Sequence, residues 1–494
     1  MASSYHSTRS MESPLPSKQA ILKGIAPDGG LYVSDALLDA HVDLAKVCRQ
    51  GYKATARDVL GALLDDYTPA EIGSCVDGAY GDNFDSAEVT PLVGLGQDWL
   101  LELFHGPTSA FKDVALQMLP RLMGTAREEG SDRILVVTAT SGDTGKAALE
   151  GFADVDGCGC VVFYPEGKVS DIQRLQMVTQ RGGNVGVCAV RGNFDDAQTQ
   201  VKRIFADRDL AERLGAGKVA LSSANSINVG RLVPQVAYYF HAYAQLVAAG
   251  GVLEGDPVDF CVPTGNFGDV LAGYYAKLLG LPVRTFVVAS NSNDVLCDFI
   301  STGTYDRRRP FMKTISPSMD ILVSSNLERL LYYVSDGDCE LVASLMRQLA
   351  EEGAYTVPSS LLERIWQTFS CGHATDDETR AAIRSAWEED HVLLDTHTGV
   401  GKHVLDGRDR DGVPRILLAT ASPFKFSADV LAALGHQTAG LDGFACMDEL
   451  ARVTGLVPPA ALSQLRDMPV LHTDVEDVDD MGGFVEAAAS RIFG

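Results

Sequence analysis

Positive charge is scarce in this 494-residue sequence. Lysine and arginine together number 41 against 66 aspartates and glutamates, so the formal net charge is -25 and the pI is about 4.7. A nucleic-acid-binding protein needs a cation-rich surface to displace the counterions of the phosphates, and attraction to an anionic membrane needs the same charge. We therefore expect neither nucleic acid nor a membrane as partner. An anionic ligand would need its own local cationic site.

The sequence also lacks the cysteine spacing of a structural metal site. Its 10 cysteines are scattered from Cys48 to Cys446, and no two of them form a CxxC pair. The nearest pair, Cys158 and Cys160, lies in an apolar run typical of a buried strand, and no cluster of His and Cys follows it. We expect reduced, mostly buried thiols and no metal.

Long hydrophobic runs are missing as well. No apolar run approaches the roughly 20 residues of a membrane-spanning helix, and the first ten residues, MASSYHSTRS, have no apolar segment of the signal-peptide type. We therefore expect a cytoplasmic protein. The acidic run TDVEDVDDM at residues 473–481 is interpreted as a solvated surface loop rather than a cation site.

What the sequence does contain is a repeated order of strand, small-residue loop and helix. It occurs at residues 133–152, 258–280 and 415–435, and it predicts open, mostly parallel α/β sheets. Such sheets bind ligands at the carboxyl ends of their strands. A chain of this length predicts two to four domains. We expect an N-terminal accessory domain at 1–92, two α/β domains at 93–255 and 256–435, and a C-terminal extension at 436–494.

The second of these loops, in VPTGNFGDV, is suited to a phosphate. Gly265 and Gly268 allow the backbone to approach a ligand closely. Asn266, Phe267 and Gly268 present their amides at the start of a helix, where an anion is stabilised. Glycine-rich loops also occur without a ligand, and Asp269 must turn away from the phosphate or cap the helix.

The first loop, in SGDTGKAA, looks like a nucleotide-binding phosphate loop but fails its spacing. Thr140 stands where that motif needs glycine, and Ala147 follows Lys146 where it needs a hydroxyl. We instead interpret the amides of this loop and the hydroxyls of Ser141 and Thr144 as a site for an amino-acid carboxylate.

Two further stretches add a lysine and two hydroxyl groups to these loops. FHGPTSAFKD places Lys112 between Phe111 and Asp113, and ATASPFKF places Thr420 and Ser422 at the end of a strand. Taken alone, the lysine is a surface residue at a helix start and the hydroxyls are helix caps. Together with the two loops they are the parts of a pyridoxal-phosphate site, in which a lysine forms a Schiff base and a neutral hydroxyl faces the ring nitrogen.

Over nearly its whole length the sequence resembles the threonine synthases of the longer bacterial and fungal type. The stretches that carry the resemblance include APDGGLYV (26–33), FHGPTSAFKD (104–113), ATSGDTGKAALEGF (139–152), GNFDDAQTQVKRIF (192–205), SSANSINVGRLVPQ (222–235), VPTGNFGD (262–269), residues 305–331 and TASPFKF (420–426). The resemblance implies the fold-type-II architecture, with two open, mostly parallel twisted sheets like those of tryptophan synthase β. It also implies pyridoxal 5'-phosphate as cofactor.

The resemblance further implies a role for each matching residue. Lys112 would be the Schiff-base lysine, and Thr420 would face the pyridine nitrogen, with Ser422 as the alternative. Asp143 would lie beside the phenolic oxygen of the cofactor, where it needs a shared proton because two anions repel. The remaining roles are the cofactor phosphate for Gly265, Asn266, Phe267 and Gly268, and the substrate carboxylate for Ser141 and Thr144.

The family's reaction converts O-phospho-L-homoserine and water to L-threonine and phosphate by elimination and replacement. The substrate phosphate needs a clamp, for which Arg231 is the first candidate, although a structural ion pair is an equally open interpretation. The other candidates are Lys425, Asn225, Ser226 and Asn228. The segment DTHTGVG (395–401) departs from the Asp-Pro-His-Thr-Ala usual in the family, which bears on the substrate pocket.

A second enzymatic reading stays open. A phospho-lyase would release a 2-oxo acid, ammonia and phosphate from a similar substrate, and no short motif reports whether water is delivered to Cβ. A non-catalytic cofactor-binding protein is disfavoured because Lys112, Asp143 and Thr420 are intact. We expect the protein to be a monomer or a homodimer.

Overall fold

The computed structural model describes residues 5–64, 66–127, 132–140 and 142–494. The strands are β1 Tyr5–Ser7, β2 Ser10–Leu15, β3 Tyr32–Ser34, β4 Leu92–Leu95, β5 Asp98–Glu102, β6 Arg133–Ala139, β7 Cys158–Pro165, β8 Val185–Arg191, β9 Val219–Ser222, β10 Val258–Pro263, β11 Val283–Ser290, β12 Thr304–Asp306, β13 Ala354–Thr356, β14 Phe369–His373, β15 Arg415–Ala419 and β16 Asp474–Asp477.

The α-helices alternate with these strands over most of the chain. They are α1 Ser17–Lys23, α2 Leu44–Val47, α3 Tyr52–Leu63, α4 Pro69–Ala79, α5 Lys112–Leu116, α6 Leu119–Ala126, α7 Asp143–Phe152, α8 Asp171–Val178, α9 Phe194–Ala206, α10 Arg208–Ala216, α11 Val229–Leu232, α12 Val236–Ala248, α13 Gly268–Leu278, α14 Val295–Thr302, α15 Leu327–Val334, α16 Cys339–Glu351, α17 Ser359–Trp366, α18 Asp376–Asp390, α19 Thr396–Asp406, α20 Ser427–Ala433, α21 Gly443–Thr454, α22 Ala460–Ser463 and α23 Met481–Phe493.

The N-terminal region is a small antiparallel sheet, in the order β2-β1-β3, followed by helices. Helix α4 begins with a reciprocal cap between Thr68 and Glu71, with Pro69 in the first turn, an arrangement that satisfies amides the helix itself cannot bond. Helix α3 packs against α12 and buries Val59 and Leu60. The region therefore shares one hydrophobic core with the α/β part of the chain.

The smaller α/β sheet has five parallel strands in the order β16-β8-β7-β6-β9. Every residue of β7 is buried, including Cys158 and Cys160, which confirms the buried strand predicted from that apolar run. The acidic run was wrongly interpreted as a loop, because Asp474–Asp477 forms the edge strand β16. An edge strand leaves charged side chains in water, so its composition does not distinguish it from a loop.

The larger sheet has six strands in the order β14-β11-β10-β15-β5-β4. Its strands are parallel except at the edge, where β4 and β5 form an antiparallel hairpin. The three predicted strand–loop–helix units are confirmed at β6–α7, β10–α13 and β15–α20, the last with a 3-10 turn at Pro423–Phe426 before the helix. The mixed α/β fold with mostly parallel sheets is confirmed.

The sheets do not follow the segment boundaries drawn from the sequence. Strands β4 and β5 start the segment assigned to the first α/β domain, yet they belong to the larger sheet, whose other strands come from 256–435. Strand β16 comes from the C-terminal extension and belongs to the smaller sheet. Local sequence predicts a strand, whereas the sheet it joins depends on tertiary contacts.

Candidate active site

A cavity of about 450 Å³ lies where the carboxyl ends of strands from both sheets meet. The smaller sheet contributes the end of β6 and the start of α7, and the larger sheet contributes the ends of β10 and β15. The wall is completed by α9, the segment around Arg231 and residues 317–325. All three predicted loops therefore converge on one cavity, as expected for open α/β sheets.

Lys112 is the first residue of α5, and the loop before it is tied down on both sides. The Asp113 carboxylate accepts hydrogen bonds from the amide and the hydroxyl of Thr108, at 2.8 and 2.6 Å. The amide of Phe111 donates to the carbonyl oxygen of Thr420 at 2.9 Å. The loop thus pairs with the chain leaving β15, which brings Lys112 and Thr420 to the same cavity. Asp113 had no predicted role.

Lys112 and Asp143 face each other in the cavity and are almost fully buried. Lys112 Nζ lies 3.3 Å from Asp143 Oδ2 and 3.2 Å from Ser318 Oγ. Burial lowers the pKa of Lys112; the Asp143 carboxylate opposes this effect, while the charges of Lys425 and Arg231 add to it. The result is a lysine that gives up its proton more readily than an exposed one.

Asp143 also has a second cation partner, which corrects one prediction. Lys425 was a candidate for the substrate phosphate, but its Nζ lies 2.9 Å from Asp143 Oδ1 and donates to the carbonyl oxygen of Thr108 at 2.9 Å. Its side chain is fully buried and does not line the cavity. The sequence places Lys425 near the site but cannot show which way the side chain points.

The charge of Asp143 follows from these two lysines. Burial by itself raises the pKa of Asp143, but the charges of Lys425 and Lys112 outweigh burial and hold it well below its ordinary range. The amide of Gln173 also donates to Oδ1, at 3.1 Å. Asp143 is therefore an anion that stays paired with Lys425 even when Lys112 binds another group.

The loop before α13 has the shape of an anion cradle. Phe267 takes the left-handed conformation, with φ 63°, and ends the loop at the first turn of the helix. A Cβ atom on Gly265 would lie 2.8 Å from the carbonyl oxygen of Ser318, so only glycine fits beside that segment. The amides of the helix start are then free to point at an anion in the cavity.

Asp269 turns away from this cradle, as the sequence required. Its Oδ1 accepts hydrogen bonds from the hydroxyls of Tyr238 and Tyr239, at 2.5 and 2.9 Å. Burial raises the pKa of Asp269 to about 6, although both hydroxyls act in the opposite direction. Its Oδ2 is buried with no hydrogen-bond partner among the described residues.

Arg231 is a buried cation of the cavity with no carboxylate partner in the described part of the chain, whereas Lys202, which also lines the cavity, is exposed. Its guanidinium donates to the carbonyl oxygen of Ala224 at 2.8 Å, and only 6% of the residue is exposed. Burial lowers its pKa to about 10. A buried guanidinium with unused donors is suited to an anionic ligand. The structure therefore supports the ligand interpretation of Arg231 over the structural ion pair.

The neighbours of Arg231 divide into two groups. Asn225 and Ser226 line the cavity beside it, as predicted. Asn228 does not, because its amide donates to the carbonyl oxygens of Ile21 and Ser223 and its oxygen accepts from the amide of Gly230. Asn228 is a helix cap that also holds α1 in place. The prediction that it contacts a substrate phosphate is contradicted by that orientation.

Thr420 lines the cavity, whereas the alternative Ser422 is buried outside it. The Thr420 amide donates to the hydroxyl of Thr398, which itself donates to Asp395. Thr144 lines the cavity at the start of α7. Ser141 lies outside the described residues.

Ser318 and His397 are polar residues of the cavity wall that had no predicted role. The hydroxyl of Ser318 contacts both Lys112 and Asp143, at 3.2 and 3.3 Å. His397 Nε2 accepts a hydrogen bond from the Ser318 amide at 3.1 Å, and its Nδ1 is 2.9 Å from Asp395. The segment DTHTGVG, noted for its departure from the family pattern, thus supports the residue that faces Lys112. Ser318 lies in residues 305–331, one of the stretches that resemble the family, whereas His397 lies in the segment that departs from it.

No three His, Cys, Asp or Glu side chains among the described residues are grouped so that they could hold a metal ion. No helix there has both the length and the apolar composition that crossing a membrane requires.

Two family models match this chain. A family model described as a pyridoxal-phosphate dependent enzyme matches residues 87–363, and one described as the threonine synthase N terminus matches residues 4–80. Threonine synthase of Schizosaccharomyces pombe is 37% identical over 467 residues, which cover 87% of this chain and 89% of that protein. This chain belongs to the threonine synthase family.

Structure and further sequence relatives agree with the family. The crystal structure of pyridoxal-phosphate-bound threonine synthase from Brucella melitensis has a TM-score of 0.87 and 36% identity, covering 99% of both chains. Threonine synthase-like 1 of Pongo abelii is 40% identical over 429 residues, which cover 84% of this chain but 58% of that protein. The fold-type-II architecture and the resemblance predicted from the sequence are both confirmed.

The residues of the cavity fit the pyridoxal-phosphate cofactor of the family. In the cradle before α13, a Cβ on Gly265 would meet the backbone of Ser318 and Met319, so glycine lets the loop pack against that segment. Lys112 is buried with its amine facing the cavity, and Thr420 lies on the same wall. Lys112, residues 265–268, Asp143 and Thr420 are the residues that would hold the cofactor.

Proposed function

We propose that this chain is a threonine synthase, which converts O-phospho-L-homoserine and water to L-threonine and phosphate. One observation carries the proposal. The cavity that places Lys112 Nζ 3.3 Å from Asp143 also exposes the guanidinium of Arg231, which has no carboxylate partner in the described residues. A reactive amine and a site for a second phosphate therefore lie in one enclosure.

Lys112 would hold the cofactor through its amine, and it serves as the base for the substrate. Its lowered pKa eases loss of a proton from the amine, and the neutral amine accepts the proton from Cα of the substrate. Pyridoxal phosphate supplies an electron sink for the charge left at Cα. The hydroxyl of Ser318, 3.2 Å from Nζ, helps to orient the amine.

Asp143 and Lys425 act together as a charged pair at the phenolic edge of the cofactor. The sequence predicted that Asp143 would need a shared proton there, because two facing anions repel. Lys425, 2.9 Å away, supplies a positive charge that offsets this repulsion. Thr420 would face the ring nitrogen with a neutral hydroxyl, which does not favour protonation of that nitrogen.

The two phosphates are held by different parts of the chain. The amides of residues 265–268 hold the cofactor phosphate at the start of α13. Arg231, with Asn225 and Ser226 beside it, holds the substrate phosphate until it leaves. Thr144 and Ser141 hold the substrate carboxylate. This division orients the substrate with Cα towards Lys112 and its phosphate towards Arg231.

Two further statements belong to the same proposal. The protein acts in the cytoplasm, on a small molecule, which agrees with its charge of -25. It works as a monomer or a homodimer without nucleic acid. Size-exclusion chromatography with light scattering tests the assembly directly.

Product analysis tests the reaction. Purified protein with pyridoxal phosphate is mixed with O-phospho-L-homoserine, and phosphate, amino acids and 2-oxo acids are measured together. Phosphate and threonine in equal amounts are the expected result. Phosphate with 2-oxobutyrate and ammonia would instead make the protein a phospho-lyase, and absence of turnover with bound cofactor would overturn the substrate assignment.

The lysine is tested with a matched pair of variants. Lys112→Ala is expected to lower kcat by at least roughly 10³-fold, because it removes both the cofactor bond and the base. Lys402→Ala is the control, since Lys402 is also buried and lies in a helix but pairs with Asp406. An equal loss in both variants would show a folding defect instead of a catalytic role.

A further inference from the structure

Two cysteines face each other at the edge of the larger sheet. Cys297 lies on α14 and Cys371 on β14, and these two elements pack against each other. The Sγ atoms are 2.8 Å apart, although 74 residues separate the two cysteines in sequence. Neither side chain lines the cavity that holds Lys112. The pair therefore has no part in the proposed reaction.

This pair differs from the other cysteines. All 10 are free thiols, and most of the others are buried within the core. Among the described residues, Cys297 and Cys371 make the contact between two thiols, and both are partly exposed. Buried single thiols are inert packing groups, whereas accessible neighbouring thiols can react with each other. A metal site is not indicated, because no third ligand lies nearby in the described chain.

The surroundings make Cys371 the more reactive of the two. The hydrogen bond from the Cys297 thiol lowers the pKa of Cys371 below its ordinary value; burial opposes this effect, and Ser301 and Arg408 add to it. Ser301 Oγ lies 3.5 Å from the sulfur of Cys371. The thiolate, not the thiol, is the attacking species in disulfide exchange.

We propose that Cys297 and Cys371 are a redox-active pair that forms a reversible intramolecular disulfide with a low-molecular-weight disulfide as oxidant. The Cys371 thiolate attacks one sulfur of the oxidant, and the other sulfur leaves as a thiolate. Cys297 then loses its proton to solvent and attacks Sγ of Cys371, which releases the second thiolate. Two protein thiols are oxidised to one disulfide, and one oxidant disulfide is reduced to two thiols.

The position of the pair gives the bond a structural consequence. The carboxylates of Asp294 and Asp298, before and within α14, bind the guanidinium of Arg309 at 2.8 and 2.6 Å. Arg309 begins the segment that leads to the cavity wall at Phe311 and residues 317–325. The disulfide would link α14 covalently to the edge strand β14, and α14 is the helix to which Arg309 anchors this segment.

Peptide mapping tests the proposal on the full-length, cofactor-loaded protein. Reduced protein is treated with oxidised glutathione under native conditions, alkylated with iodoacetamide and digested with trypsin without reduction. Residues 285–307 and 365–380 form two tryptic peptides, each with a single cysteine. The expected product is these two peptides joined, with two hydrogens fewer than their sum, and dithiothreitol is expected to separate them.

Single variants distinguish the pair from accessible thiols in general. Cys297→Ser is expected to abolish the joined peptide and to leave Cys371 as a mixed disulfide with glutathione, and Cys371→Ser also abolishes it. Cys48→Ser is the control, because Cys48 is partly exposed but has no thiol neighbour in the described residues, and it should leave the joined peptide unchanged. The proposal is overturned if the native wild-type protein gives only alkylated or singly glutathionylated peptides, or joins them only in denaturant.

Discussion

The two ends of the larger sheet each carry a charged cavity, and the two cavities differ in how their charges are paired. At the amino ends of β10, β11 and β15 a cavity of about 590 Å³ is lined by Arg284 and Arg415. Arg284 binds Asp259 and Asp411, while Arg415 binds Asp98 through two bonds of 2.8 Å. At the carboxyl ends, in the smaller cavity of about 450 Å³, Arg231 binds only a backbone carbonyl.

The pairing of charges distinguishes a structural charge cluster from a ligand site better than the volume of the cavity does. A buried charge without a partner is costly to the folded protein, so it persists where a ligand completes it. The charges of Arg284 and Arg415 are therefore already met by carboxylates at the amino end, and Arg408, which also lines that cavity, is only partly buried. The carboxyl end holds Arg231 and a lysine with a lowered pKa, which is the pattern of a functional site.

The largest effect is expected from breaking the ion pair between Asp98 and Arg415 at the amino end of the larger sheet. Asp98→Asn leaves Arg415 buried with no charge partner of its own, so the free energy of unfolding should fall by about 3 kcal/mol or more. Because Asp98 is far from the site, kcat and KM should stay unchanged. Chemical unfolding of the cofactor-free protein, together with steady-state kinetics, measures both quantities.

Asp411→Asn provides the matched control at the same end of the sheet. Its partner Arg284 keeps Asp259, and Asp411 itself is 57% exposed, so a change below about 1 kcal/mol is expected. If Asp98→Asn and Asp411→Asn lower the free energy of unfolding equally, burial does not determine how much an ion pair contributes to stability.

The next largest effect is expected from removing Arg231, the buried cation in the cavity at the carboxyl ends of the strands. Arg231→Gln should lower kcat/KM for O-phospho-L-homoserine by roughly 100-fold, mainly through KM, because charge-assisted bonds to the substrate phosphate are lost. Arg231→Lys keeps the charge but not the planar fork, and it should lose less. Inhibition by inorganic phosphate should weaken in parallel. An unchanged KM would remove Arg231 from the substrate site.

The smallest effect concerns Asp269 and depends on pH. Its folded-state pKa of about 6 lies above the ordinary 3.8, so the native state favours the protonated form. Stability is therefore lost as pH rises from about 4 to 6 and stays lost above that. Asp269→Asn removes this loss and should stabilise the cofactor-free protein by roughly 2 kcal/mol at pH 8, with little gain at pH 4. Thermal unfolding of both proteins across this pH range measures it, and parallel curves would contradict the expectation.

The predicted site residues that the structure brings to the cavity are those whose location depends on local backbone. Gly265 and Phe267 form a cradle because the loop conformation and the helix start are properties of a few consecutive residues. The same holds for Lys112 at the start of α5 and for Thr420 at the end of β15. Each lies at the carboxyl end of a strand or in the loop paired with it, where α/β sheets collect ligand groups.

The positions predicted wrongly are those whose role depends on side-chain direction. Lys425 and Asn228 lie in the right segments, but the first points to Asp143 and the second to the carbonyl oxygens of α1 and its own loop. Ser318 and His397 come from distant segments and meet only in the folded chain. Nothing in a short motif reports such a contact.

The sequence alone determined the alternation of strands and helices, the three loops that follow strands and the family of the chain, because these depend on local patterns of side chains. The tertiary structure alone decided that β4, β5 and β16 join the sheets where they do, and that Arg231 is left without a carboxylate partner among the described residues. It also decided that Cys297 meets Cys371. Pairing of charges, thiols and strands across long separations depends on packing, which no local pattern encodes.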